Sequence, residues 1–304
     1  MDSKSYGEAL AALAGRQLCV LSGAGVSTES GIPDYRGPER RGKPATPIQY
    51  RDYVRDPDAR QRYWARSAVG YRKVATATPN AGHKALQLLE AQGYLSGVIT
   101  QNVDGLHQRA GSAHVVELHG SLANVVCLSC GKNEARDSVQ ERINLLNPNW
   151  ETIAGDIAPD GDVHLASELT KSFSVPACLR CGGVLKPDVV FFGESVPKAR
   201  VTEAFRMLAE AEALLVVGSS LTVYSGYRFV DRALKDGQIV VVFNDGPTRA
   251  DPVIELKVSG RLGSLLPRFA EDLVGRFGSQ GDSCVPIERL SQEDLNPHRR
   301  SQIP

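Results

Sequence analysis

Four of the six cysteines fall into two pairs of identical spacing, Cys127-x2-Cys130 and Cys178-x2-Cys181. Each CxxC turn presents two thiolates from one tight bend. Two such turns facing one another supply the four tetrahedral ligands of a structural zinc ion and leave no position open for a catalytic water. The alternative is four unrelated buried thiols. Cys19 lies in an apolar run and Cys284 in a polar tail, so neither extends the set. A second group of residues suits acid–base work: His119 closes the apolar run HVVEL and precedes Gly120, and its side chain titrates in a range suited to taking a proton near neutrality. TQNVDGLH at 100–107 sets Gln101, Asn102 and Asp104 behind the run SGVIT, although Asn, Asp and Gly are also ordinary turn residues. His83, His114, His164 and His298 read as structural, and His107 fits either role. The third group is GAGVSTESGIPDYR at 23–36. Gly23-Ala24-Gly25 behind the run QLCVLS would let backbone N–H groups approach a pyrophosphate at the start of a following helix. A dehydrogenase fingerprint needs a third glycine where Thr28 stands, and an acidic residue closing a second strand about 20 residues on. Both are missing, which disfavours hydride transfer and leaves a plain tight turn open.

These side chains need a scaffold that brings several strand ends together. Apolar runs alternate with helical patterns: QLCVLS (17–22), SGVIT (96–100), HVVEL (114–118), DVVFF (188–192), ALLVVG (213–218) and IVVVFN (239–244). Several are polar on neither face, as when helices cover both sides of a parallel sheet. PNAGHKALQLLEAQG reads as a helix capped by Asn80 and stopped at Gly93. The expected fold class is α/β: a Rossmann-like doubly wound parallel sheet over 8–126 and 182–275, with a smaller zinc-binding module inserted at 127–181 and a loose polar tail at 278–304. In such sheets ligands bind beyond the carboxyl ends of the strands. That places GSSL (218–221) and FNDGP (243–247) beside the three groups above.

Composition limits the partners. Lys plus Arg and Asp plus Glu number 35 each, so no global field draws the chain to nucleic acid or to a charged membrane. Between the cysteine pairs, residues 131–177 hold four basic against eight acidic side chains, a surface that repels phosphate. Residues 34–73 carry eleven basic and five acidic side chains, which would suit acidic acyl chains or simply form a solvated helix face. No apolar run approaches the roughly 20 residues of a membrane span. The first residues lack both an apolar core and an arginine-rich face, so the chain reads as cytoplasmic.

In this order, GAGVSTESGIPDYR, TQNVDGLH, ELHG, the two CxxC pairs, KPDVVFFGE, GSSL and FNDGP resemble the sirtuins, a family of NAD-dependent protein deacylases, from about residue 8 to about residue 275. GIPDYR, RQRYWARSAVGY and APDGDV look like the class II group, which includes mitochondrial lipoamidases. The resemblance implies NAD as co-substrate, one structural zinc ion, acyl-lysine proteins as substrates and a monomer. It implies that Gly23, Ala24, Gly25, Thr28, Asp34, Tyr35 and Arg36 wrap NAD and that Gln101, Asn102 and Asp104 hold its ribose and nicotinamide. Gly218, Ser219, Ser220 and Asn244 would take the adenosine side, with Leu262 closing over adenine. His119 would be the general base, with Asn102 beside it, and Val189, Val190, Phe191, Phe192, Gly193 and Glu194 would pair with an extended substrate peptide. The implied reaction breaks the nucleotide: an acyl-lysine oxygen displaces nicotinamide, and His119 then helps deprotonate a ribose hydroxyl that captures the acyl carbon. Mono-ADP-ribosyl transfer through the same site is the alternative. The loop before PNAGH does not align with the Tyr/Arg pair of desuccinylating sirtuins, so Tyr63 and Arg66 are not given that role.

Overall fold

The computed structural model describes residues 2–34, 47–148, 150, 153, 162, 163, 165 and 167–277. Tyr35, Arg36 and the expected tail at 278–304 lie outside the described residues. The strands are β1 (Leu18–Ser22), β2 (Leu95–Thr100), β3 (Val115–Glu117), β4 (Gly120–Cys127), β5 (Asn133–Ala135), β6 (Leu185–Val189), β7 (Ala213–Val217), β8 (Ile239–Phe243) and β9 (Leu256–Val258). The helices are α1 (Ser3–Leu13), α2 (Tyr50–Arg55), α3 (Pro57–Thr76), α4 (Ala81–Ala91), α5 (Leu106–Arg109), α6 (Arg136–Leu146), α7 (Ser167–Thr170), α8 (Lys198–Ala209), α9 (Tyr224–Lys235) and α10 (Leu262–Phe277). None of them is long and apolar enough to cross a membrane.

Six strands form one parallel sheet in the order β3-β2-β1-β7-β8-β9, the doubly wound arrangement. Alternate residues of each central strand feed opposite cores. Val20, Val98, Leu215 and Val241 face α1, α4 and α10, whereas Leu21, Ile99, Leu214 and Val242 face α8 and α9. This two-sided burial is why the strands read as unbroken apolar runs.

A three-stranded antiparallel sheet, β5-β4-β6, carries the second unit. Its core draws Tyr53, Tyr63 and Trp64 from α2 and α3 against Leu122, Val125 and Leu185 of the sheet. DVVFF therefore departs from expectation. Its first two residues end β6 in this small sheet, and the strand stops at Val189. Beyond it Val190 N–H donates to the His119 carbonyl at 2.8 Å, and the Glu194 carboxylate takes the Phe191 amide at 2.8 Å. The chain then turns at Gly193, which holds φ +77°. Pro187 is tolerated because β6 is an edge strand.

His83 and His107 are both structural. Asn80 and His83 form a reciprocal cap on α4, and His107 Nε2 lies 2.8 Å from Ser22 Oγ. Their rings sit 4.9 Å apart. Burial pushes His83 down to about 4 and His107 down to about 3. Both are neutral in the fold, while the unfolded chain takes up protons below its ordinary value of 6.5. Stability present above that value is lost as pH falls through the folded values, at up to about 1.4 kcal/mol per pH unit for each ring. Urea melts between pH 7 and 4.5 should therefore show a shallower pH slope for His83→Gln than for the natural chain. Equal slopes would mean that His83 is not held neutral.

Candidate active site

Strand order reverses between β1 and β7, so the crevice beyond their carboxyl ends is where a doubly wound sheet binds ligands. The turns leaving these two strands are packed backbone on backbone. Gly23 N–H donates to Val217 O at 3.0 Å, and Gly25 N–H to Gly218 O at 2.9 Å. A Cβ on Gly25 would lie 2.8 Å from Gly218 Cα; one on Gly218, which holds φ +62°, would lie 2.6 Å from Val26 N. Only glycine allows that approach. The turn is followed by two short 3-10 segments, Ala24–Val26 and Thr28–Ser30, not by the α-helix the sequence suggests. Val26 and Ser27 amides are also bonded, to Gly23 O and Ala24 O. From Gly23 to Ser27, that leaves Ala24 N–H as the amide with no partner among the described residues. Gly218→Ala should destabilise the protein by about 2–4 kcal/mol through left-handed strain and overlap. The check is the urea midpoint, and an unchanged midpoint would contradict this packing.

His119 leaves β3 and stands at the end of β2. Its Nδ1 lies 3.1 Å from Gln101 O, and its Nε2 2.8 Å from Ser225 Oγ. A carbonyl oxygen can only accept, so Nδ1 carries the proton and Nε2 holds the lone pair. Burial pushes this imidazole down to about 4 against the Gln101 carbonyl, which works the other way, and Arg228 and Arg200 push it further down. The ring is thus neutral near pH 7, with its basic nitrogen toward Ser225.

Gln101 joins this group to the β7 turn: its Oε1 accepts from Ser219 Oγ–H at 2.6 Å. Asn102, buried, donates from Nδ2 to Gly23 O and Ser27 Oγ, both at 3.1 Å. Asp104 accepts from Ser27 Oγ–H at 2.7 Å and from Leu106 N–H at 2.9 Å, and burial pushes its carboxyl up. Ser219 Oγ also accepts from the amide of Leu221 at 3.2 Å. Leu221 holds φ +56°, the one left-handed non-glycine conformation among the described residues. A buried leucine in that region is strained, and it turns the chain from β7 into α9.

Gln101, Asn102, His119, Ser219 and Leu221 line a cleft of about 1170 Å³, large enough for a dinucleotide together with a second substrate. Of the residues singled out from sequence, Gly23, Ala24, Gly25, Asp34, Gln101, Asn102, His119, Val189 to Glu194, Gly218, Ser219, Ser220 and Asn244 meet there. Thr28, Asp104 and Leu262 do not line it. Thr28 is exposed and bonded to Gly25 O, Asp104 supports Ser27 from below, and Leu262 is buried against Gly218. The cleft also gathers residues to which sequence reasoning gave no role, Ile48, Tyr63, Thr222 to Ser225, Arg228, Thr248 and Arg249, beside Asp245 to Pro247 of the FNDGP loop. The loop signal was present in FNDGP. Ser225 and Arg228 gave none, because no local motif marks them and only the fold brings α9 to the cleft. Arg66 is held away from the cleft, by Asp162 at 2.5 Å and Val163 O at 2.9 Å.

The profile of the Sir2 family matches residues 23–225, which run from the glycine turn after β1 to the start of α9. The chain belongs to the Sir2 family. It is 51% identical over 271 residues to NAD-dependent protein deacetylase 1 of Mycobacterium avium, covering 88% of this chain and 95% of that one. It is 50% identical over 256 residues to the mitochondrial NAD-dependent protein lipoamidase sirtuin-4 of Bos taurus, covering 83% and 81%. Among solved structures, a Sir2 complex with a p53 peptide and NAD+ superposes with a TM-score of 0.64 at 28% identity, covering 92% of this chain and 100% of that one.

In this Sir2-family chain the four paired cysteines converge. Their sulfurs all lie within 4.8 Å of one another, with Cys127 to Cys181 at 3.6 Å and Cys130 to Cys178 at 3.8 Å. A tetrahedron built on zinc–sulfur bonds of 2.3 Å has edges of about 3.8 Å, so the donors fit zinc. The two knuckles are alike: Gly131 N–H donates to Cys127 O at 2.9 Å and Gly182 N–H to Cys178 O at 2.8 Å, with both glycines left-handed. The Cys130 backbone N–H holds the Cys127 thiol down to about 6, the direction metal binding needs. Cys181, against the Gly183 N–H, is pushed up to about 12 by the neighbouring thiols. A metal would replace those shared protons. The ion would be structural, as all four positions are sulfur.

Proposed function

We propose that this chain is an NAD-dependent protein-lysine deacylase, and the observation that carries the reading is His119. A neutral imidazole presents its lone-pair nitrogen into a cleft at the switch point of a doubly wound sheet, where a dinucleotide belongs. Relatives of about half-identical sequence named as NAD-dependent deacetylase and lipoamidase support it. So does the likeness to a Sir2 structure with peptide and NAD+.

In this reading NAD lies across the turns at Gly23 to Gly25 and Gly218 to Ser220, with Asn244 on the adenosine side. Asp34 belongs to the wall around it. Asn102 and Gln101 face its nicotinamide ribose. The segment Val189 to Glu194 receives the substrate backbone and leaves side chains loosely read. The acyl-lysine carbonyl oxygen bonds to ribose C1′ as the C1′–N bond breaks, and that electron pair leaves with neutral nicotinamide. Positioning and exclusion of water do most of this step. His119 Nε2 then takes the proton of a ribose hydroxyl as its oxygen closes on the acyl carbon, and water completes the release of lysine and O-acyl-ADP-ribose. The zinc cluster holds the small unit in shape and touches no reacting atom. Class II membership and a cytoplasmic site of action complete the proposal, supported by the identity to sirtuin-4 and the sequence features above.

The test is mass spectrometry of a panel of acetyl-, lipoyl- and dicarboxylacyl-lysine peptides with NAD. Loss of at least one acyl group with one nicotinamide released per turnover is expected. No NAD-dependent loss from any peptide, or retention of label from adenine-labelled NAD on protein, would replace the reading by an idle module or by ADP-ribosyl transfer.

A further inference from the structure

Ser225 has no role in the scheme above, yet it is bonded to the nitrogen the scheme depends on. Its Oγ lies 2.8 Å from His119 Nε2, and since that nitrogen carries the lone pair, the serine hydroxyl donates. The placement is built into the fold. Leu221 in its left-handed conformation swings the chain into α9, whose first turn contains Ser225. The next residue, Gly226, packs so closely that any Cβ there would press into the Gln101 side-chain amide. One residue, Gln101, thus fixes both ends of the arrangement: its carbonyl orients His119 Nδ1, and its side chain seats the turn that delivers Ser225.

We propose that Ser225 is the positioning residue of His119: before substrate binds, its hydroxyl donates to Nε2 and keeps the ring, whose tautomer the Gln101 carbonyl fixes, aimed into the cleft, and a ribose hydroxyl then takes its place. The inference rests on the base role of His119 proposed above. A donor to the lone pair stabilises the neutral ring over the charged one. The charged side chains around the ring act in the same sense: Arg228 on α9 and Arg200 on α8 both oppose protonation, Arg200 being paired with Asp188 of β6 at 2.6 Å. Glu117 on β3 stands two residues before His119.

If Ser225 acts only through the base, its removal should touch the second chemical step and spare the first. Nicotinamide release runs backwards as exchange of labelled nicotinamide into NAD, so the two steps can be read separately. Ser225→Ala is expected to cut O-acyl-ADP-ribose formation about tenfold while exchange stays within about twofold of the natural chain, and Ser225→Thr, which keeps the hydroxyl, should restore product formation. Equal losses of exchange and product, or no rescue by threonine, would make Ser225 merely structural and overturn the proposal. Natural product rates in Ser225→Ala beside an inactive His119→Ala would also overturn it and leave the base intact. Undiminished product from His119→Ala would instead overturn the base reading itself.

Discussion

His119→Ala is expected to lower acyl transfer by about 10²–10⁴-fold, the range of a positioned general base, while exchange of labelled nicotinamide into NAD continues. The separation follows from where the ring stands. It contacts Gln101 O and Ser225 Oγ, both at the cleft, so its removal exposes those two atoms to water and opens no sealed void. Gly23, Gly25 and Gly218, which shape the nucleotide crevice, are bonded to one another and to strand backbone, not to His119. The melting temperature should accordingly stay near that of the natural chain. Calorimetry and a paired assay of exchange and product settle it: product at the natural rate would remove His119 from the chemistry, and a collapsed melting temperature would make it a structural histidine like His107.

Removal of zinc should have the larger effect on the fold. Metal binding at a closed four-thiolate site contributes on the order of 10 kcal/mol, comparable with the whole stability of a domain. The cluster is not peripheral: Cys127 and Cys178 belong to the same core as Trp64, Tyr63 and Phe191. Phe191 meets Tyr63 edge to face at 5.0 Å between ring centres, and both line the cleft. Loss of the metal would therefore loosen the wall expected to receive the peptide. Cys130→Ser is expected to lose zinc, near-UV circular dichroism and deacylation together. Much of the far-UV signal should persist, because the parallel sheet is packed by separate cores. One zinc per natural chain, and none in the variant, is the accompanying metal analysis. A variant that melts where the natural chain does would reduce the cluster to four idle thiols.

How far the sequence reaches can be judged residue by residue. QLCVLS and ALLVVG were legible as central strands because burial on both faces leaves no polar alternation, and both are buried throughout in β1 and β7. The cysteine pairs were legible because a CxxC turn is a local device whose geometry four residues contain. His119 was legible through its place at a strand end. DVVFF was misread as part of the parallel sheet, since an apolar run does not state which sheet it joins; Glu194 and Gly193 end it early by bonds that no periodicity displays. The glycine turn was legible as a turn, but the partners of its amides were not.

Local pattern alone thus determined the class of fold, the four cysteines that converge and the histidine that stands at the cleft, because each depends on residue type, short spacing or burial that repeats along the chain. Tertiary structure decided what stands around that imidazole. The Gln101 carbonyl at one nitrogen and the Ser225 hydroxyl at the other come from positions 18 residues upstream and 106 residues downstream of His119. The physical reason is that a tautomer and a lone pair's direction are set by whichever donor and acceptor the fold delivers within about 3 Å, and delivery over that chain distance depends on strand order and on the left-handed turn at Leu221, not on any neighbour in sequence.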